Sequence, residues 1–285
     1  MTNAETFTIG EGADLITYDV RGDLASGRPL FLFGSPMEAS YFGTLADLVP
    51  DRPVVTYDPR GTARNPKGTD ELPPPRHAED LHRVIEALGV GPVDCMGTSG
   101  GAVNLLALAA VHPEDIHRAV AHEAPTAAYL PDKEVALAVL RDMKETYRTQ
   151  GNGPAMAKFI ALVMYDGVLT PDYLKQPDPD PAMFGMSAED DGDRTNPLMR
   201  NMPSCNEYEV DVEALRAYGD RLVHAHGAES GEQLACRGGK SVAALLGEDS
   251  VEFPSNHGGF LAGEHGQPGG DPEGWAKKLL EVLDS

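Results

Sequence analysis

The sequence has 285 residues, of which 41% are hydrophobic, enough for one large globular domain or for one domain with a sizeable insertion. Its formal net charge of −22 argues against binding to nucleic acid and to anionic membrane surfaces. Three widely spaced cysteines, an N-terminus without a signal-peptide pattern and the lack of an apolar run long enough to span a membrane predict a reduced, cytoplasmic protein.

Short apolar runs that end at turn-forming residues predict eight strands. We place them at residues 6–9, 15–20, 29–33, 53–57, 93–96, 117–122, 221–226 and 250–253. The first two flank a glycine-rich turn and indicate a hairpin. The third is apolar throughout, which is typical of a strand that is buried on both faces.

Helical periodicity appears between most of these strands. We place helices at residues 41–49, 76–88, 102–111, 231–246 and 272–283. Strands that alternate with helices predict an α/β fold whose sheet is mainly parallel and carries helices on both faces.

The alternation stops between residues 126 and 220. Helical segments are predicted there at 135–148, 154–164 and 212–218, around a loop rich in proline, aspartate and glycine at 171–196. We interpret residues 126–220 as a helical cap inserted after the sixth strand. Residues 1–125 and 221–285 then form the core. Because ligands bind beyond the carboxyl ends of parallel strands, the cap would cover the site.

The strongest candidate for chemistry is Ser99, in the sequence Gly97-Thr98-Ser99-Gly100-Gly101 between a predicted strand and a predicted helix. Gly-x-Ser-x-Gly in that context is a nucleophile elbow, a strained turn that exposes the serine hydroxyl. Glycine two positions before and after the serine removes side chains that would collide. We therefore predict Ser99 as the nucleophile.

A serine nucleophile needs a base, an acid that orients the base, and donors for the oxyanion. His257 follows the last predicted strand in a loop with glycines, which makes it the preferred base over His265. For the acid, Glu229 in the turn after the seventh strand is the first choice. Glu123, at the end of the sixth strand, is the alternative.

The oxyanion donors should be backbone N–H groups. Gly100, directly after the nucleophile, supplies the first. The second is expected from the loop after the third strand, where Ser35 is the natural donor because Pro36 has no N–H.

Most of the ten methionines lie in the predicted cap. Ordinary packing of cap helices against the core is one explanation. The other is an adaptable apolar lining over the serine, for which we name Met37, Met156, Met164 and Tyr165 as substrate-binding candidates.

His122, His224 and His226 lie on neighbouring predicted strands and could suggest a metal site. No carboxylate–histidine spacing accompanies them, so we interpret them as packed side chains and expect neither a metal nor a cofactor. The expected partner is a small-molecule substrate, bound by a monomer or a homodimer.

Four segments carry a resemblance to a known family. They are GTSGG at 97–101, GSP at 34–36, YDPRG at 57–61 and HGGF at 257–260. With the order serine, acid, histidine, they resemble the α/β-hydrolase superfamily over nearly the whole chain. Within it, the chain looks most like the capped small-molecule serine hydrolases of bacterial, actinobacterial type.

The chain also departs from that family's pattern. Phe33 stands where the oxyanion loop usually has histidine, and Ser230 stands at the usual position of the acid. Members similar to haloalkane dehalogenases and epoxide hydrolases use an aspartate nucleophile, where this chain has Ser99. Prolyl aminopeptidase-like members carry a tryptophan after the nucleophile, where this chain has Gly100.

These observations predict a serine hydrolase that cleaves a small, largely apolar ester, thioester or lactone through an acyl-enzyme on Ser99. Two alternatives remain open at this point. One is a non-hydrolytic binding protein or a tailoring enzyme of the cyclase or lyase type on the same scaffold. The other is a prolyl aminopeptidase-like peptidase, for which the acidic segment 189–193 could hold a free amine.

Overall fold

A computed structural model describes residues 4–285 of the chain. They contain one eight-stranded sheet. Its strands are Ala4–Ile9 (β1), Ile16–Arg21 (β2), Leu30–Phe33 (β3), Val54–Tyr57 (β4), Val93–Thr98 (β5), Ile116–His122 (β6), Leu222–Gly227 (β7) and Val251–Phe253 (β8). Their order is β1-β2-β4-β3-β5-β6-β7-β8. The β1–β2 and β2–β4 pairs are antiparallel and the other pairs are parallel, which confirms the predicted mainly parallel sheet.

Helices cover both faces of this sheet. The α-helices are Gly43–Asp47 (α1), Pro74–Leu88 (α2), Gly100–Val111 (α3), Lys133–Gln150 (α4), Asn152–Val163 (α5), Pro197–Glu207 (α6), Val212–Arg216 (α7), Leu234–Leu246 (α8) and Pro272–Leu283 (α9). Within residues 4–285, none of the helices has the length and apolar character that crossing a membrane requires.

The two faces have separate apolar cores because side chains alternate along each strand. In β3, Phe31 and Phe33 join the core under α2, α3 and α8, whereas Leu30 and Leu32 join the core under α1 and α9. All four side chains are fully buried. The continuous apolar run that predicted a buried strand is thus explained by helices on both sides.

Helices α4 to α7 all lie between β6 and β7 in the chain. A third apolar cluster, which includes Met143, Met199 and Met202, holds α4, α5 and α6 together. Helix α6 has no counterpart among the predicted helices, and Pro203 in its middle weakens the sequence signal because proline lacks the N–H of a helical hydrogen bond. Residues 126–220 therefore contain more helix than predicted.

The segment Tyr57-Asp58-Pro59-Arg60-Gly61 after β4 makes buried polar contacts with α2 and with the loop after β3. The Arg60 guanidinium donates to both carboxylate oxygens of Asp80 on α2, at 2.8 and 2.6 Å. Asp58 Oδ1 accepts the backbone N–H of Ala39 at 3.0 Å. Both carboxylates are buried, so each needs these donors.

We expect Arg60→Met to lower the free energy of unfolding by about 3 kcal/mol, because it removes a bidentate partner from the buried Asp80 carboxylate. Arg76→Met is the matched control, since Arg76 is half-exposed and pairs with the exposed Asp14 at 2.5 Å. That surface pair contributes much less, because solvent screens exposed charges. Urea denaturation measures both variants, and equal losses would contradict the structural role assigned to Arg60.

Candidate active site

Ser99 lies in the sharp turn between β5 and α3, with φ of +56° and ψ of −131°. This backbone conformation is strained for a residue with a side chain. The turn is possible because its neighbours are glycines. A Cβ on Gly97 would lie 2.7 Å from the carbonyl oxygen of Gly101, and a Cβ on Gly101 would lie 2.6 Å from Cα of Gly34. The predicted elbow is therefore present in the structure.

His257 lies in the loop after β8, and its partner is Glu123. His257 Nδ1 and Glu123 Oε2 are 2.5 Å apart. Glu123 directly follows β6, has φ of +50° and is fully buried. Its other oxygen, Oε1, accepts the backbone N–H of Gly227 at 2.8 Å. Both carboxylate oxygens thus have a donor, which is what a buried carboxylate requires.

Burial by itself raises the pKa of Glu123, but the hydrogen bond and the nearby charge of His257 outweigh it and lower the pKa from 4.5 to about 2. Glu123 is therefore ionised at neutral pH. Its carboxylate holds the proton of His257 on Nδ1, which leaves the Nε2 lone pair free to act as a base. Within residues 4–285, no hydrogen bond joins Ser99 to His257.

The structure pairs His257 with Glu123, the alternative acid, and not with Glu229, the first choice. The Glu229 side chain is exposed and makes neither a hydrogen bond nor an ion pair in the described part of the chain. Ser230, at the family's usual acid position, is only 1% exposed. Its Oγ lies 2.7 Å from where a Cβ on Gly227 would be. The place of the usual carboxylate is thus filled by a serine beside the backbone that Glu123 contacts.

The two predicted oxyanion donors lie against each other. A Cβ on Gly100 would be 2.5 Å from the carbonyl oxygen of Ser35, so their backbones are in close contact. Gly100 is the first residue of α3, where N–H groups have no acceptor inside the helix. The start of that helix also favours negative charge.

Ser35 is supported by a series of buried polar side chains that the sequence did not reveal. Asn201 of α6 donates from Nδ2 to Ser35 Oγ at 3.2 Å. Asn201 Oδ1 lies 3.1 Å from His77 Nε2, which acts as the donor in this pair. Burial lowers the pKa of His77 and favours its neutral form. Since α6 was not predicted, no sequence signal connected Asn201 with the oxyanion loop.

The four proposed lining residues have different environments. Met37 is partly buried against the core beside Gly34, and Met156 packs against the apolar cluster of α4 to α6. The Tyr165 hydroxyl donates to the carbonyl oxygen of Val168 at 3.3 Å. Met164 is 68% exposed, so it lies at the surface and not in an enclosed pocket.

The three strand histidines occupy separate positions. His122 is buried next to Glu123, with Nδ1 3.0 Å from Thr98 Oγ1, and burial lowers its pKa to about 4. His224 is buried with its pKa also lowered to about 4 by burial, whereas Nδ1 of His226 lies 2.9 Å from Ser250 Oγ. The three rings have different surroundings: His122 and His224 are buried, and His226 is partly buried.

The acidic segment 189–193 forms an ion pair with the neighbouring Arg194. Asp190 pairs with Arg194 at 2.7 Å, and both carboxylate oxygens contact that guanidinium. The site that an aminopeptidase would need for a free amine is therefore partly neutralised within this loop.

Comparison with known proteins agrees with this fold. The sequence profile of the family described as alpha/beta hydrolase fold matches residues 6–178. An uncharacterised hydrolase of Bacillus subtilis, YraK, is 27% identical over 259 residues, which cover 86% of each chain. A putative carbamate hydrolase, RutD of Caulobacter segnis, is 34% identical over 115 residues, or 38% of this chain and 42% of the relative.

Among solved structures, the enol-lactonase of Burkholderia xenovorans superposes with a TM-score of 0.60 at 19% sequence identity. The superposition covers 95% of this chain and 97% of the lactonase. At that identity the likeness establishes the fold alone.

Proposed function

Because the chain belongs to the alpha/beta hydrolase fold family, we propose that it is a serine hydrolase of a small, largely apolar ester, thioester or lactone. Assignment to the hydrolases of this superfamily rests on the family match and on relatives that are themselves named hydrolases. The nucleophile, the acyl-enzyme and the substrate class are the proposal. The observation that carries it is the His257–Glu123 pair beside a serine elbow.

In the proposed reaction, Ser99 Oγ attacks the acyl carbonyl while His257 Nε2 takes the hydroxyl proton. Glu123 stabilises the imidazolium that forms. The N–H groups of Gly100 and Ser35 bind the oxyanion. The tetrahedral intermediate collapses and expels the leaving group, which receives the proton from His257. Water then attacks the acyl-enzyme with His257 as base, and the acid product and free Ser99 are released.

The same chemistry accommodates the carbonyl groups named in two comparisons. A lactone and a carbamate each present an acyl carbon bonded to a heteroatom leaving group, as an ester does. In this chain, Met37 packs against the core and Met156 packs against the α4–α6 cluster. These apolar side chains favour a substrate with an uncharged acyl portion.

A substrate panel tests this proposal. It contains p-nitrophenyl esters of increasing acyl length, a simple γ-lactone, an acyl thioester and a phenyl carbamate. We expect turnover with at least one class, and a fluorophosphonate adduct on the peptide that contains Ser99 by mass spectrometry. If the protein turns over none of these substrates and takes no label, the result would contradict the proposal and favour the binding-protein alternative.

Asn201→Ala is expected to lower kcat by about 10–100-fold with little change in KM. The variant frees the Ser35 side chain, and loss of an oxyanion donor itself costs about 10²–10³-fold. Ser204→Ala is the control, because Ser204 lies on the same helix and, within residues 4–285, its Oγ bonds only to the Asn201 carbonyl. Steady-state kinetics on an accepted ester measures both. A similar fall in the two variants would mean that α6, and not the Asn201 side chain, is responsible.

A further inference from the structure

Two histidines far from the nucleophile stack face to face. His82 lies on α2, and His112 directly follows α3. Their ring centroids are 3.7 Å apart and the rings are parallel within 4°. Both side chains are about four-fifths buried, at 18% and 19% exposure. The stack joins two elements that otherwise meet through apolar packing.

A carboxylate orients each ring. His82 Nδ1 lies 2.8 Å from Oδ2 of Asp115, which is only 6% exposed. His112 Nε2 lies 3.1 Å from Oε1 of Glu79. A ring nitrogen that donates its proton to a carboxylate leaves the lone pair on the other nitrogen. This is the arrangement by which proteins prepare histidines as metal ligands.

The two remaining ring nitrogens face further carboxylates. His112 Nδ1 lies 3.4 Å from Glu114 Oε1, and His82 Nε2 lies 3.5 Å from Glu86 Oε2, one helical turn away. One ligand atom from each of His82, His112 and Glu114 can be chosen so that all three lie within 4.8 Å of one another. In the parallel stack the ring lone pairs lie in two parallel planes, so the two rings must tilt toward each other for these three donors to close around a single ion.

We propose that His82, His112 and Glu114 bind a divalent transition metal ion of the zinc class, with Glu86 as a fourth ligand. Two imidazole nitrogens with carboxylate oxygens suit Zn²⁺, whereas Mg²⁺ and Ca²⁺ prefer oxygen ligands alone. Asp115 and Glu79 hold the rings in the ligating tautomers. The cluster is distinct from the strand histidines His122, His224 and His226.

The site has a structural role and not a catalytic one. His112 follows the C-terminal end of α3, whose N-terminal end begins next to Ser99, and a helix of 12 residues is about 18 Å long. A bound ion would cross-link α2 to the turn after α3. Because only the folded chain brings these ligands together, binding should stabilise the fold.

Isothermal titration of the full, EDTA-treated protein with ZnCl₂ tests the site. We expect one zinc ion per chain, and a Tm raised by about 5 °C when free zinc is a hundredfold above Kd. His82→Asn, His112→Asn and Glu114→Gln should each weaken binding. Asp115→Asn should weaken it by about 10–100-fold, although Asp115 does not touch the ion. MgCl₂ should give no comparable binding.

His117→Asn is the matched control. Nδ1 of His117 on β6 also pairs with a carboxylate, Oδ1 of Asp94 on β5, at 2.8 Å. Its zinc affinity should equal that of the wild type. Glu114 is exposed, so Glu114→Gln should fold and keep the test valid if the histidine variants do not. Absence of zinc binding by the wild type, or affinity unchanged in Glu114→Gln and the histidine variants, would overturn the proposal.

Discussion

Ser99→Ala is expected to lower kcat by about 10⁶-fold on any substrate that the enzyme accepts, because alanine has no nucleophilic oxygen. The change removes one oxygen from a residue that makes no side-chain hydrogen bond to cap α3, so the fold should persist. The residual rate would reflect substrate binding and the oxyanion donors at Gly100 and Ser35. Steady-state kinetics and fluorophosphonate labelling measure the effect.

Ser40→Ala provides the comparison for Ser99→Ala. Ser40 is an exposed serine whose hydroxyl donates to Glu38 Oε1 at 2.9 Å, its one side-chain hydrogen bond in the described part of the chain. This variant should keep full activity and full labelling. Labelling that survives in Ser99→Ala at the wild-type rate would remove Ser99 from the role of nucleophile.

Glu123→Gln is expected to lower kcat by about 10⁴-fold. Glutamine keeps the shape and can still accept the N–H of Gly227, but it has no charge to stabilise the imidazolium of His257. It can also hold the ring in the wrong tautomer. Pre-steady-state measurement of acyl-enzyme formation, with Tm as a check on folding, isolates this effect from substrate binding.

Glu229→Gln and Ser230→Asp sharpen the assignment of the acid. Glu229→Gln should leave kcat unchanged, because its side chain is exposed and does not contact His257. In the Glu123→Gln background, Ser230→Asp places a carboxylate beside Gly227 and should recover at least about tenfold of the lost rate. A loss in Glu229→Gln equal to that in Glu123→Gln would return the role to the turn after β7.

The fold and the elbow at Ser99 were predictable because their signals are local. Buried parallel strands are continuous apolar runs. The elbow at Ser99 needs glycines, because a Cβ at those positions would collide with nearby backbone. The same holds for the loop that supplies Ser35. Each of these features depends on neighbours in sequence, which a reader of the chain can see.

The carboxylate partner of His257 was harder to predict because it depends on geometry between strands. Glu123 and Glu229 both follow strands that end at the same edge of the sheet. Only the positive φ of Glu123 and its buried environment direct its carboxylate to His257. The contact of Asn201 with Ser35 spans 166 residues and lies on a helix that Pro203 obscures. Neither relation leaves a periodic pattern in the sequence.

Glu123 is the first residue of the long segment between β6 and β7, yet two of its hydrogen bonds are made to β7. Its N–H donates to the Ala225 carbonyl at 2.9 Å, and its Oε1 accepts from Gly227. Laboratory evolution can therefore randomise residues 133–196, which include α4 and α5, and leave those hydrogen bonds intact. Such libraries leave Asn201 unchanged. They should change which acyl group is accepted, while most clones keep Ser99, His257 and Glu123 in place.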